Sequence, residues 1–273
     1  MFLGHFHIGA GHAELDLIER IIRHFSALPY ENISKIIKLN LLYDDASKIR
    51  LPGEVMEDHL SDNLGGTCFS LTFLLESILR RCGFTCFPVM ADMRAGENIH
   101  CCLVSELEGE KYLIDPGYLV TRPMPIRGRE PQIVHMEVTG VELQFSKTDG
   151  RYHLFTFNHE KRTWRYRFLL KPVSHREFLN HWYRSFTLPG MHGIALSAVR
   201  NDRMIYIRKN YMRESYFRGK KNYNIRKDYH RVIGALFGIP GVLLEQAGSA
   251  LKENLSMERK RGIFSSRREQ SRP

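Results

Sequence analysis

The chain contains no stretch of about 18 consecutive apolar residues, so hydropathy gives no candidate membrane-spanning helix. Its start, Met1-Phe2-Leu3-Gly4-His5, lacks the charged and apolar regions of a secretory leader, so export is not expected. Cysteine is scarce: there are five, an odd number, and all of them (Cys68, Cys82, Cys86, Cys101, Cys102) fall between positions 68 and 102 of the 273. That distribution excludes a disulfide framework and fits a reducing, cytoplasmic setting. Cys82 and Cys86 have no second pair at zinc-site spacing, and no acidic or cysteine cluster accompanies His5, His7 and His12, so no metal is expected. Zinc-finger, ribonucleoprotein and helix-turn-helix patterns are missing as well, which argues against nucleic acid as a partner. Neither a membrane partner nor an internal repeat is indicated.

What the sequence does have is a large apolar fraction, 43%, enough for a sizeable core or several packed subdomains. The net charge is +10, of which the segment Lys252–Pro273 supplies +4. A second basic run, Arg213 to Arg231, is interleaved with Tyr216, Tyr223 and Tyr229. It suits phosphates and a flat ring, and equally a solvated face.

The order of patterns is helices first and strands later, an α+β arrangement. Residues 1–83 read as a helical unit, with Leu15, Ile18, Ile21, Ile22 and Phe25 at helical spacing before the Leu28-Pro29-Tyr30-Glu31-Asn32 break. The best-marked helix runs from Phe69 to Cys82, with Arg80 and Arg81 in its last turn and Gly83 as its stop. Within 84–192, β-branched and aromatic runs at Phe84–Met90, Ile99–Glu106, Lys111–Asp115, Val134–Phe145, Tyr152–Asn158 and Thr163–Leu170 predict an antiparallel sheet or barrel. Residues 193–250 predict a hairpin around Asn201-Asp202 and a helix near Asp228–Phe237, and 251–273 a basic, disordered tail.

Cys68 lies where Gly65-Gly66-Thr67 runs into an apolar helix. The unpaired N–H groups and positive end of a helix favour thiolate over thiol, and turn N–H groups can stabilise an oxyanion. His100 and Asp115 complete the residue types that a thiol nucleophile needs. With a two-residue turn at Glu108-Gly109, Cys102 faces Asp115 and His100 faces Gly117. The imidazole and carboxylate then share a sheet face as diagonal neighbours roughly 7–8 Å apart. A three-residue loop would put them on opposite faces. Cys101 and Cys102 project to opposite faces, so at most one approaches the nucleophile.

Leu28-Pro29-Tyr30-Glu31-Asn32, Gly65-Gly66-Thr67-Cys68-Phe69, His100-Cys101-Cys102-Leu103-Val104 and Asp115-Pro116-Gly117-Tyr118 resemble, in order and spacing, the motifs of the arylamine N-acetyltransferase family. The resemblance implies a papain-like catalytic core made from an N-terminal helical bundle, a central antiparallel β-barrel and a C-terminal α/β lid. It implies Cys68 as acetyl-accepting nucleophile, His100 as base and Asp115 as orienter, with acetyl-CoA as donor and an aromatic amine or hydrazine as acceptor. Gly117 and Tyr118, and Ser185 and Thr187 in a looser match, fall at positions near the family's acyl donor. Leu64 stands where the family carries an arginine that pairs with the glutamate matching Glu31, so that ion pair cannot form in the usual way.

Two other readings use the same residues. Cys68, His100 and Asp115-Pro116 are also similar to transglutaminase-like proteins, which would mean amide-forming or amide-cleaving chemistry. Leu64 admits a catalytically idle binding protein on this scaffold.

Overall fold

Apolar spacing makes the first part of the chain helical. The computed structural model describes residues 1–9, 14–41, 45–118, 122–128, 130–136, 138–200 and 202–260. After α1 (Phe2–His5), α2 (Glu14–Phe25) buries Ile18, Ile21, Ile22 and Phe25 on one face. The Leu28–Asn32 break contains the short strand β1 (Tyr30–Glu31) and leads into α3 (Ile33–Leu41) and α4 (Asp45–Lys48). Pro52 opens α5 (Pro52–Asp62), and Asn63, left-handed at φ 55°, closes it.

Helix α6 (Cys68–Arg81) is the hub of this unit. Leu71, Leu74, Leu75 and Leu79 are buried against α2 and the outside of the following sheet. Each such side chain contributes about 1.5–3 kcal/mol relative to exposure. The helix ends as its sequence anticipates, with Arg80 and Arg81 at the negative end of the dipole and Gly83 at φ 89°.

The strands that follow are β2 (Thr85–Met93), β3 (Gly96–Leu107), β4 (Glu110–Ile114), β5 (Met124–Pro125), β6 (Gln132–His135), β7 (Gly140–Ser146), β8 (Arg151–Phe157) and β9 (Arg162–Phe168). They form an eight-stranded antiparallel sheet in the order β5-β4-β3-β2-β9-β8-β7-β6. Its end strands β5 and β6 lie beside each other, so the sheet nearly closes into a barrel around Val89, Cys102, Leu113, Leu154, Tyr166 and Phe168. The run expected over Val134–Phe145 is two strands, because the chain turns where Met136 N–H donates to the Thr139 carbonyl at 2.9 Å. The β3–β4 register is the one that a two-residue turn requires: Leu107 faces Glu110 and Leu103 faces Ile114. Glu108 and Gly109 take positive φ, 50° and 82°, as a type I′ turn needs.

The rest of the chain begins with α7 (His175–Arg184), capped by Ser174 Oγ accepting from Glu177 N–H at 3.2 Å. Strands β10 (Ala195–Arg200), β11 (Arg203–Arg208), β12 (Tyr211–Tyr216) and β13 (Gly219–Asn224) then form a second antiparallel sheet, with β1 as its first strand. Helices α8 (Tyr229–Phe237) and α9 (Gly241–Lys260) cover it. The expected hairpin is β10–β11; Asn201 in its turn lies outside the described residues. The basic run from Arg213, suited to phosphates and a flat ring or to a solvated face, begins in the further hairpin β12–β13.

The disordered tail expected over 251–273 needs correction at its start, since α9 continues to Lys260. Ala247, Ala250 and Asn254 lie at helical spacing on its buried side, and Asn254 Nδ2 donates to the Ile36 carbonyl at 3.1 Å. Small and polar residues carry that contact, so hydropathy does not mark it. Residues 261–273 lie outside the described part. No helix among the described residues is long and apolar enough to cross a membrane.

Asn32 joins the helical unit to the second sheet. Its Nδ2 donates to the carbonyls of Gly190 (3.0 Å) and Gly193 (2.9 Å), and its Oδ1 accepts from Ala195 N–H at 2.8 Å. Asn32→Ala leaves these buried groups unpaired and is expected to cost about 1–3 kcal/mol, read as a lower urea midpoint; an unchanged midpoint contradicts this role.

Candidate active site

Cys68 is the first residue of α6, so its thiol sits at the positive end of a 14-residue helix. Local backbone crowding explains the two glycines before it. A Cβ on Gly65 would overlap the Pro29 carbonyl oxygen, and one on Gly66 would overlap Ser70 Oγ. The turn runs beside β1, where Glu31 N–H donates to the Gly66 carbonyl at 3.0 Å.

The barrel brings the partners. His100 is on β3 and Asp115 lies just beyond β4, where the register delivers it to the same end of the sheet. His100 Nε2 and Asp115 Oδ2 are 2.8 Å apart. The carboxylate is fully buried, and its other donors are Tyr166 Oη at 2.6 Å on Oδ2 and Tyr118 N–H at 3.1 Å on Oδ1. With Nε2 committed to Asp115, Nδ1 is the ring nitrogen left for the hydrogen bond between His100 and Cys68. Gly117 packs against all three residues: a Cβ there would lie 2.9 Å from Cys68 Cβ, 2.9 Å from His100 Cε1 and 3.3 Å from Asp115 Oδ1.

The electrostatics favour an ion pair between thiol and imidazole. A hydrogen bond from Cys101, then the hydrogen bond and charge of His100 and the charge of Lys35, hold the Cys68 thiol well below the ordinary thiol range despite burial. For His100, burial disfavours the charged form, but the charge and hydrogen bond of Asp115, together with Cys68, outweigh it and raise the imidazole to about 10. Burial pushes the Cys101 thiol well above its usual value, so the two adjacent thiols are shifted in opposite directions and Cys68 is the more acidic. Such a thiolate beside an imidazolium can attack an electrophilic carbonyl carbon.

The residues expected near the donor are placed differently from one another. Gly117 and Tyr118 touch the cluster, the Tyr118 ring meeting His100 edge-on at 5.3 Å between centroids. Ser185 Oγ is buried and donates to the Trp182 carbonyl at 2.5 Å, while Thr187 is exposed and donates to the Arg184 carbonyl at 2.9 Å. Of the vicinal cysteines, Cys101 is the one beside Cys68, and Cys102 faces the barrel interior. Among the described residues no group of His, Cys, Asp and Glu is arranged to hold a metal; His12 lies outside them.

Arg50, between α4 and α5, is a residue that sequence reasoning missed. Its side chain is 4% exposed. Nη1 donates to the Gly65 carbonyl (2.7 Å) and Ser34 Oγ (2.8 Å) and lies 3.5 Å from Glu31 Oε1. Nη2 donates to Asp58 Oδ2 at 2.6 Å. Glu31 therefore has its arginine after all, supplied from outside the Gly-Gly motif, while Leu64 packs into the core under the second sheet. The only signal was an arginine in an otherwise apolar Ile49–Pro52 stretch.

An N-acetyltransferase family model matches residues 14–240. Among solved structures, the chain is similar to arylamine N-acetyltransferase C from Bacillus anthracis at TM-score 0.70 and 21% identity, covering 87% of this chain and 96% of that one. It is similar to the Salmonella typhimurium arylamine N-acetyltransferase at TM-score 0.73 and 15% identity, covering 91% and 97%. A Bacillus cereus arylamine N-acetyltransferase, described with a unique Cys-His-Glu catalytic triad, aligns at TM-score 0.71 and 19% identity over 88% and 97%. The carboxylate beside His100 in the present chain is an aspartate. No curated protein matches the chain. The helical unit, barrel and lid expected from the motifs are thus the fold found.

Removing the Arg50 guanidinium would leave the fully buried Glu31 without its cation. Arg50→Met is expected to lower stability by about 3–5 kcal/mol, and a shift in the urea midpoint checks it; the variant unfolding with wild type contradicts it.

Proposed function

The chain belongs to the N-acetyltransferase family, and we propose that it moves an acetyl group from acetyl-CoA through a thioester on Cys68 to an aromatic amine or hydrazine. The observation that carries this reading is the buried Cys68–His100–Asp115 cluster at the N-terminus of α6, whose surroundings hold the thiol well below the ordinary thiol range. The residues suit a thioester donor by their chemistry: a thiolate attacks a carbonyl carbon, and an imidazolium can return a proton to a departing thiolate.

In the first half-reaction Cys68 Sγ forms a bond to the acetyl carbonyl carbon as the donor's carbon–sulfur bond breaks. His100 gives its proton to the leaving sulfur. In the second, the acceptor nitrogen bonds to the same carbon, His100 takes a proton from that nitrogen, and Cys68 leaves as thiolate. Asp115 holds the imidazole through Nε2 in both halves, so the same nitrogen faces the thiol each time. Gly117 and Tyr118 border the acyl group in this reading. Thr187 offers a hydroxyl on an exposed turn for the donor, and Ser185 acts through its hydrogen bond with Lys35. Small molecules are the proposed partners, with no nucleic acid and no membrane, and the cytoplasm is the proposed setting.

Intact-mass measurement after incubation with acetyl-CoA alone is expected to show an acetyl adduct that Cys68→Ala lacks and that an added arylamine discharges as the N-acetyl product. Failure of wild type to acquire the adduct would count against acetyl-CoA as donor and favour the amide chemistry of transglutaminase-like proteins.

A further inference from the structure

One charged group in this site makes and breaks no bond in the steps above. Lys35 is on the first turn of α3 and is 7% exposed. A cation there is doubly disfavoured, being buried and at the positive end of a helix. Among the described residues no carboxylate pairs with it. Its ammonium donates to Ser185 Oγ at 2.5 Å and stands 4.5 Å from the centroid of the Phe186 ring. Ser185 is itself fixed, because its hydroxyl proton goes to the Trp182 carbonyl. That arrangement uses one of three ammonium N–H bonds.

Phe186, whose ring the ammonium faces, packs in the same buried cluster as Cys68 and Cys101, and the Cys68 thiolate favours the charged amine. Burial works in the opposite direction and lowers the Lys35 amine to about 8. Once Cys68 is acylated its anion is gone, and Lys35 is left buried with no carboxylate partner among the described residues. A placement that local rules disfavour this strongly is expected at a functional position.

We propose that Lys35, with Ser185 and Phe186, forms a subsite for a carboxylate carried by the small substrate that reacts at Cys68. The inference rests on Cys68 being the reacting thiol. A carboxylate replaces the lost thiolate charge and gives the free N–H bonds an acceptor. Its source is either a carboxyl-bearing amine acceptor or a carboxyl-bearing acyl group.

The experiment compares alkylation of Cys68 by iodoacetate and by iodoacetamide. In both, the thiolate forms a bond to the methylene carbon and iodide leaves, so the ratio of the two rates cancels the thiolate fraction. The wild-type ratio is expected to exceed that of free cysteine about tenfold, the size of one charge-assisted hydrogen bond, and to persist in high salt. Lys35→Met should lower it about tenfold, to what the His100 imidazolium alone sustains. A wild-type ratio equal to that of free cysteine overturns the inference without any variant, and so does a ratio that Lys35→Met leaves unchanged. Two turnover comparisons identify the source: 4-aminobenzoate against its methyl ester as acceptor, and succinyl-CoA against acetyl-CoA as donor. The pair whose preference falls in Lys35→Met carries the carboxylate, and no fall in either overturns the proposal. If the alkylation ratio behaves as expected but no CoA thioester acylates Cys68, the acetyl-transfer reading fails and the carboxylate subsite stands.

Discussion

A carboxylate with no access to water organises the reactive end of this molecule. Asp115 is fully buried, and the donors around it, His100, Tyr166 and the Tyr118 N–H, are all supplied by the barrel and the turn that follows β4. An ion in such a place is tolerated only when its lone pairs are filled by well-aligned donors. Filling them settles which nitrogen of His100 points outward, and that nitrogen meets Cys68 at the head of α6. Gly117 has no room for a side chain because the helix and barrel come together there.

A second buried ion cluster sets the helix that carries the thiol. Glu31, Ser34, Arg50 and Asp58 surround the turn at Gly65, and the guanidinium grips that residue's carbonyl directly. Leu64 consequently does not leave Glu31 unpaired. The arginine comes from a different loop, which frees position 64 to fill the core beneath the second sheet. This removes the reason for regarding the scaffold as idle, since the feature that suggested loss of function is a relocation of the same charge.

Much of this was legible in the residues. The two-residue turn at Glu108-Gly109 determined which side of the barrel His100 and Asp115 occupy, because strand side chains alternate and positive φ is demanded at both turn positions. The apolar stripe and terminal glycine of α6 delimited it within a residue or so. What escaped notice depends on contacts far apart in sequence. Helix α7 is polar on its open face, and its buried Phe178 and Trp182 pack against Phe69 of α6. The last turns of α9 rest on Ala250 and Asn254, too small or too polar for hydropathy to register. Arg50 and Lys35 look like ordinary surface charges until the fold buries them.

The central claim is that Asp115 keeps His100 protonated and that this charge, added to the Cys101 hydrogen bond, holds the Cys68 thiol well below its ordinary range. The direct test is the pH dependence of Cys68 alkylation by a neutral reagent, in wild type and in Asp115→Asn. A lowered thiol pKa means that the anion persists as pH falls, so the wild-type rate should stay level through neutrality and drop only in acid. Asp115→Asn removes the charge that raises His100, and the midpoint should move up toward the free-thiol value of about 8.5. A wild-type midpoint already at that value, or one that Asp115→Asn does not move, would contradict the account.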